Sequence, residues 1–308
     1  MELTQLRYFQ TAAYYQHISR AAEELNISQP ALSTMISRLE KELGVPLFDH
    51  NGRSIILNQN GQRFLQRVNH ILMEVENSKR ELQDIADEGD NSISLAVSSS
   101  QFLQGMHAFM YQHPNYKWNQ RVAENKEIAA LLNRGQIDLA VTSPGIYGEV
   151  FESTLLLRDI FKLAVHKDNP LAQRKSVRLE ELTDQRFIML LKGLPFRAQT
   201  DRIFADLGIT PHYIMECDHL LRRELINANA GVTIASQSAS FRHLFSENIR
   251  FLDIEDVHHT RDIVMVHRKG RYLNRASRQF ADFLKQKFSP QPTDPIFITL
   301  ILWIISKR

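Results

Sequence analysis

This chain of 308 residues contains a single cysteine, Cys217. One thiol excludes an intrachain disulfide framework and fits a reducing compartment. Charge of one sign is missing too. Lys and Arg number 37 against 35 Asp and Glu, a net charge of +2, so no global basicity announces nucleic acid. No apolar run reaches the roughly twenty residues needed to span a bilayer. There is no GxxxxGK[ST], no GxSxG, no HExxH and no paired cysteine, which leaves enzyme chemistry poorly supported and no cofactor expected. A basic-then-apolar leader is also absent: Met1 leads directly into an amphipathic segment, so the expected location is the cytoplasm. With 43% hydrophobic residues the chain can bury a sizeable core, and its length suggests more than one domain.

The most informative stretch is residues 18–44, ISRAAEELNISQPALSTMISRLEKELG. It reads as two short helices joined by a tight turn at Asn26-Ile27-Ser28. Ser19 is the candidate N-cap of the first helix and Ser28 of the second, with Pro30 in the second helix's first turn, where its missing N–H matters little. Ala21 and Ala22 are small enough for the helices to cross closely. Leu32, Ile36, Leu39 and Leu43 form an apolar stripe. Pro30, Ser33, Thr34, Ser37 and Lys41 fall on the opposite side, flanked by Arg38. Such a helix can lie in a DNA major groove with its first turns against base edges. An ordinary helical hairpin with a solvated outer face is the competing reading.

The flanking residues bear on that choice. MELTQLRYF opens the chain, the hairpin carries AAEELNISQPALS, and VPLFDHNGRSIILNQNGQRFL follows. Together these resemble the N-terminal domain of the LysR-type transcriptional regulators. The chain departs from the family pattern in the wing: Asp49-His50 stand where Arg usually follows Leu-Phe, and Asn58 where Thr is favoured. The resemblance implies an N-terminal all-α winged helix-turn-helix over residues 1–60, with Asn51-Gly52-Arg53 as the turn between two short extended runs. The DNA-contacting candidates are Ser19, Ser28, Gln29, Pro30, Ser33, Thr34, Ser37 and Arg38, with Arg53 on the phosphate backbone. The cations of this region are matched in number by its acids, so one copy should bind DNA weakly unless the cations segregate or several copies bind together.

Residues 61–90 follow as a long linker helix ending in a polar, Gly-containing stretch. Phe64, Val68, Ile71, Val75, Ser78, Leu82 and Ile85 alternate spacings of four and three, a heptad seam broken by Ser78. It predicts self-association through Phe64, Val68, Ile71, Val75 and Leu82. A seam packed on its own domain is the alternative. The resemblance implies a tetramer and makes RNA polymerase a further candidate partner.

From residue 91, strands alternate with helices, which means α/β layers and mostly parallel sheets. Strands are predicted at 93–98, 117–123, 137–141, 161–166, 187–191, 213–217, 232–235 and 263–267, and helices at 102–112, 127–134, 198–207, 220–229 and 273–288. LNRGQIDLA from residue 132 and AGVTIA from residue 230 resemble the same family's effector domain. This implies a two-lobed, periplasmic-binding-protein-like domain over 91–289. Lobe I would comprise about 91–165 and 267–289, lobe II about 166–266, with crossings near His166 and Val266 and a ligand cleft between the lobes.

Ligands of open α/β sheets sit beyond the carboxyl ends of strands, near helix N-termini. That rule selects Ser98, Ser99, Ser100, Glu124 and Asn125 in lobe I, and Lys192, Gly193, Asp218 and His219 in lobe II, each with helix capping as the bland alternative. Lys192 and His219 favour an anionic ligand, such as a small carboxylate, over a cation. The adjacent His258 and His259 would face opposite ways on a strand and make a weak metal site. Cys217 is better read as a buried inert thiol than as a redox sensor. Residues 296–305 form an apolar tail too short to cross a membrane. The sequence thus predicts a DNA-binding regulator controlled by a small-molecule effector. Its rival is a cytoplasmic ligand-binding or transferase-like α/β protein whose hairpin mediates assembly.

Overall fold

The computed structural model describes residues 1–51, 54–86, 91–236 and 245–288. Gly52 and Arg53 of the wing turn, residues 87–90 of the linker and the apolar tail lie outside the described residues. The chain divides into two compact units. One holds Met1–Asp90 with Asn133–Gln136 and Gly270–Arg275; the other holds Asn91–Leu132, Ile137–Lys269 and Ala276–Arg308.

The first unit opens with helices α1 (Leu3–Tyr15), α2 (Ile18–Glu24) and α3 (Gln29–Leu43). Strands β1 (Phe48–Asn51) and β2 (Ser54–Leu57) pair antiparallel as the wing, and the long helix α4 (Gln59–Ile85) follows. Leu6 and Phe9 of α1, Ala21 and Ala22 of α2, Leu32, Ile36 and Leu39 of α3, and Leu47, Phe48 and Ile55 of the wing bury together in one core. Ala21 and Ala22 are 0% and 2% exposed, the closeness that their small side chains permit.

The N-cap of α2 is His17, whose ring accepts from the Arg20 N–H at 3.4 Å, and not Ser19. The Ser19 hydroxyl donates instead to Gln29 Oε1 at 3.1 Å. Ser28 caps α3 as predicted, accepting from the Ala31 N–H. Asn58 caps α4, accepting from the Gly61 N–H at 2.9 Å, so this departure from the family's Thr keeps an N-cap acceptor. Gly61 is required for another reason: a Cβ there would lie 2.1 Å from the Leu47 carbonyl oxygen.

The heptad seam of α4 divides. Val68 is fully buried in the unit's own core and Phe64 packs against it. These two serve the domain's own core, so they are not free to form the predicted seam. Ile71, Leu82 and Ile85 are exposed and Val75 is half-buried.

In the second unit, β3 (Ser92–Val97), β4 (Lys117–Val122) and β5 (Leu139–Thr142) run parallel, with helices α5 (His107–Gln112) and α6 (Asn125–Asn133) between them. The helix predicted over 102–112 is broken. A 3-10 turn at Ser100–Leu103 stops before Gly105, whose φ of +78° no ordinary helical residue adopts, and α5 begins beyond it.

The sheet is mixed, and not mostly parallel, because two long strands, β6 (Phe151–His166) and β12 (Thr260–Arg268), run antiparallel through it. Strand β6 pairs with β12 from Phe151 to Ile160. From Phe161 to His166 it is flanked by β10 (Thr233–Ser236) and β11 (Ile249–Ile254). The exchange of partners at Ile160/Phe161 puts the crossing about six residues before His166. The return falls at Thr260–Ile263, before β12 joins β5 at Val264.

Beyond the crossing, the second lobe adds the short β7 (Ser176–Val177), parallel β8 (Phe187–Leu190) and β9 (Tyr213–Cys217), and helices α7 (Pro195–Asp206) and α8 (His219–Asn227). Strands β7 and β11 escaped the sequence pattern. The closing helix α9 (Arg275–Phe288) sets Phe280 edge-to-face against Trp118 and Phe109 in the first lobe. Each lobe has its own core, one around Leu163, Phe187 and Ile203 and one around Ile128, Leu132 and Val264.

Candidate nucleic-acid interface and effector cleft

The outer face of α3 carries Gln29, Pro30, Thr34, Ser37, Arg38 and Lys41, all exposed, with Ser33 half-buried beside them. Ser28 and Ser19 act structurally here, one as a cap and one as the hydrogen-bond donor to Gln29. Gln29 is exposed, and its Oε1 is engaged by the Ser19 hydroxyl. The charge balance noted in the sequence resolves in three dimensions. Glu40 accepts from the Leu47 and Phe48 N–H groups, Glu24 accepts from Tyr15 Oη, and Glu42 pairs with the N-terminal ammonium. Arg20, Arg38 and Lys41 form no ion pair among the described residues. Three acids are thus engaged internally while the cations beside α3 stay available for phosphates.

Two adjoining cavities of about 180 and 110 Å³ open between the lobes, sharing Ser100, Gln101, Phe196, His219 and Arg261 on their walls. Lobe I supplies Ser98, Ser99 and Ser100 at the end of β3. The Ser98 hydroxyl accepts from the Ser143 N–H at 3.0 Å, and Ser99 caps the 3-10 turn. Lobe II supplies Phe196 and Gln199 from α7, and His219, Arg222 and Arg223 from α8. Arg261 comes from β12 at the crossing. Gln199 Nε2 donates across the cleft to Ser143 Oγ at 3.3 Å.

Arg222 and Arg261 are 6% exposed each. Their guanidinium carbons lie 5.4 and 4.8 Å from the centre of the Phe196 ring, a cation–π arrangement on one aromatic. Burial pulls both pKa values down to about 10, so both stay charged at neutral pH; Asp159 beside Arg261 opposes the shift. The Asp159 carboxylate is itself buried and accepts from the Ser236 hydroxyl. Burial, then Arg222 and Arg261, push His219 down to about 4. Arg222 Nε and His219 Nδ1 are buried without a hydrogen-bond partner among the described residues.

The sequence-predicted cleft residues separate. Ser98, Ser99, Ser100 and His219 line the cavities. Glu124 and Lys192 are exposed and border neither cavity. Asn125 donates to the Pro144 carbonyl, and Asp218 caps α8 by accepting from the Leu220 and Leu221 N–H groups. The positive charge therefore comes from Arg222 and Arg261, with His219 neutral and Lys192 outside. Arg222 sits one helical turn after His219, a spacing visible in the sequence, but nothing there marks either arginine as buried.

His258 and His259 sit in a loop, His259 against Asp206 at 2.8 Å. No group of three or more metal-ligating side chains occurs among the described residues. Cys217 is buried, and burial raises its thiol pKa. No described helix is long and apolar enough to cross a membrane.

Known proteins share this arrangement. The family model described as bacterial regulatory helix-turn-helix protein, lysR family, matches residues 3–62, and the LysR substrate binding domain model matches residues 87–289. An uncharacterized HTH-type transcriptional regulator, YybE of Bacillus subtilis, is 31% identical over 294 residues, covering 94% of this chain and 100% of the relative. A full-length OxyR from Pseudomonas aeruginosa superposes with a TM-score of 0.58 at 20% identity, covering 94% of each chain. Full-length CbnR complexed with its target DNA superposes with a TM-score of 0.51 at 24% identity, over 93% of this chain and 100% of that one. A winged hairpin followed by a two-lobed domain, matched in order across nearly the whole length, places this chain in the LysR family of transcriptional regulators.

Proposed function

We propose that this regulator reads operator DNA with the outer face of α3 and is controlled by a small anion held between Arg222 and Arg261. The observation that carries the second half is the pair of buried guanidiniums lining the cleft, with Asp159 the one buried carboxylate acting on them among the described residues. Uncompensated buried charge is costly, and a carboxylate or phosphate oxygen pair matches the guanidinium fork. Each of these two cavities alone is below the roughly 300 Å³ of a typical drug-sized site, which favours a small metabolite as the effector. Binding would shift an equilibrium between lobe closures. The protein works as a homo-oligomer in the cytoplasm, paired through the exposed end of α4, and a two-fold pair would present two α3 helices to an inverted repeat.

The DNA half is tested by sequencing the genomic fragments that co-purify with the protein and titrating salt in gel shifts. Ser33→Ala should relax sequence preference by about 1–3 kcal/mol if Ser33 makes a good base contact. Arg38→Ala should weaken all sequences alike and lower the salt slope by about 1. Unchanged binding in both variants would place the DNA on another face.

A further inference from the structure

We propose that the cleft takes a divalent anion and that His219 accepts a proton as that anion enters. This rests on the reading of the cleft as an anion site and adds the ligand's charge and a proton linkage. The inference begins with a charge count among the described residues. Arg222 from α8 and Arg261 from β12 contribute two buried positive charges, and Asp159 from β6 one buried negative charge. With His219 neutral, the enclosed site carries one net positive charge. A monoanion balances that without further change. A dianion leaves one negative charge over, in a place where unpaired charge is expensive.

His219 is the group placed to balance it. It borders both cavities, and its Nδ1 is buried without a hydrogen-bond partner among the described residues. The charged and titratable groups near it are few. Asp218, Arg222 and Arg223 come from its own segment, Arg261 from β12, and Asp159 stands behind Arg261; Cys217 at the end of β9 is held neutral by burial. Arg223 is half-buried at the mouth, where solvent screens it. Burial and the two guanidiniums keep His219 unprotonated to about pH 4 in the empty site. An anion between Arg222 and Arg261 cancels the field that opposes protonation and offers an acceptor to an imidazolium N–H. The proton comes from solvent, and no covalent bond changes. By linkage, a ligand that raises the affinity for a proton is itself bound more tightly when the proton is present. Affinity for a dianion must therefore rise as pH falls, by up to about tenfold per pH unit for one proton.

The sign for the empty protein is opposite. The unfolded chain protonates this histidine at its ordinary value of 6.5, whereas the folded chain waits until about 4. Between those values His219 costs the empty fold stability as pH falls, and a bound dianion should remove that cost.

The test uses the full-length protein with sulfate and methanesulfonate, tetrahedral anions of similar size that carry two and one charges and do not titrate between pH 5.5 and 8. Imidazole proton–carbon NMR, with the His219 signal assigned by its loss in His219→Gln, gives the ring's pKa with and without each anion. Thermal shift gives the two affinities across the pH range. The expected result is a His219 pKa raised by at least two units in sulfate, to about 6 or above, and by less than one unit in methanesulfonate. Sulfate affinity should climb as pH falls and lose that dependence in His219→Gln, while methanesulfonate affinity stays flat. Sulfate binding through Arg222 and Arg261 with an unmoved His219 pKa would overturn the proton linkage and leave the anion site standing. Equal behaviour of the two anions would overturn the divalent preference. Failure of both anions to bind would remove the anion site and the linkage together.

Discussion

At the scale of single residues, the cleft shows which chemistry a sequence exposes and which it hides. Ser98, Ser99, Ser100 and His219 were legible because strand ends and helix starts can be read from apolar patterning, and those positions collect ligand contacts. Lys192 satisfied the same rule, yet it is exposed and outside both cavities. Arg222 and Arg261 met no sequence rule, because arginine is ordinarily a surface residue and its burial here depends on a tertiary contact, the packing of both guanidiniums against Phe196. Among the described residues, Arg222 makes one long hydrogen bond, to the Ile234 carbonyl at 3.3 Å, and its Nε has no partner. It is thus held at a cost to the empty fold. Arg222→Met, which keeps the volume and removes the charge, should raise the melting temperature of the ligand-free protein, by about 2–4 °C for each kcal/mol of relieved cost. The same change should abolish stabilisation by sulfate. A melting temperature that fell, with sulfate stabilisation intact, would show that Arg222 is a packing residue.

At the scale of elements, most helices and strands were legible to within a few residues, and the misses have local causes. His17, not Ser19, caps α2 because the imidazole reaches the Arg20 N–H while the Ser19 hydroxyl turns to Gln29. Gly105 cuts a predicted helix in two. The linker helix is the most instructive case. Its heptad spacing is real, but spacing cannot say what covers a stripe. Val68 lies in the core of its own domain, whereas Leu82 and Ile85 are 67% and 74% exposed. Apolar side chains at such exposure on one helix end, with Ile71 nearer its middle, are what a partner copy would cover. The double change Leu82→Asp/Ile85→Asp should therefore lower the oligomeric state in sedimentation velocity without unfolding the winged domain. Val68→Asp should unfold that domain instead, and the two variants separate the two roles of one seam. An unchanged sedimentation coefficient in Leu82→Asp/Ile85→Asp would move the pairing surface elsewhere.

At the scale of the whole molecule, the class of fold was legible and the sheet's internal direction was not. Alternating strands and helices suggested parallel sheets. The two strands that connect the lobes run antiparallel, and β7 and β11 were too weakly patterned to be seen. Those connecting strands make a hinge between two separately packed cores, an arrangement in which a ligand can act by changing how far the lobes close. Opposite that hinge, the Gln199 amide of α7 donates to the Ser143 hydroxyl at the end of β5. The Ser143 N–H stays bound to Ser98 whatever its side chain. Ser143→Ala therefore deletes the bond across the cleft while preserving the local backbone. A net hydrogen bond is worth about 0.5–1.5 kcal/mol, so if the bond is made mainly in the closed, ligand-bound arrangement, sulfate affinity should fall by about two- to tenfold. That loss would occur although Arg222, Arg261 and His219 are unchanged. Hydrogen exchange at the Ile160 and Thr260 amides should quicken in the sulfate-bound variant relative to wild type, reporting looser closure. An affinity and exchange pattern equal to wild type would mean that the bond forms equally in both arrangements and that the hinge alone sets closure.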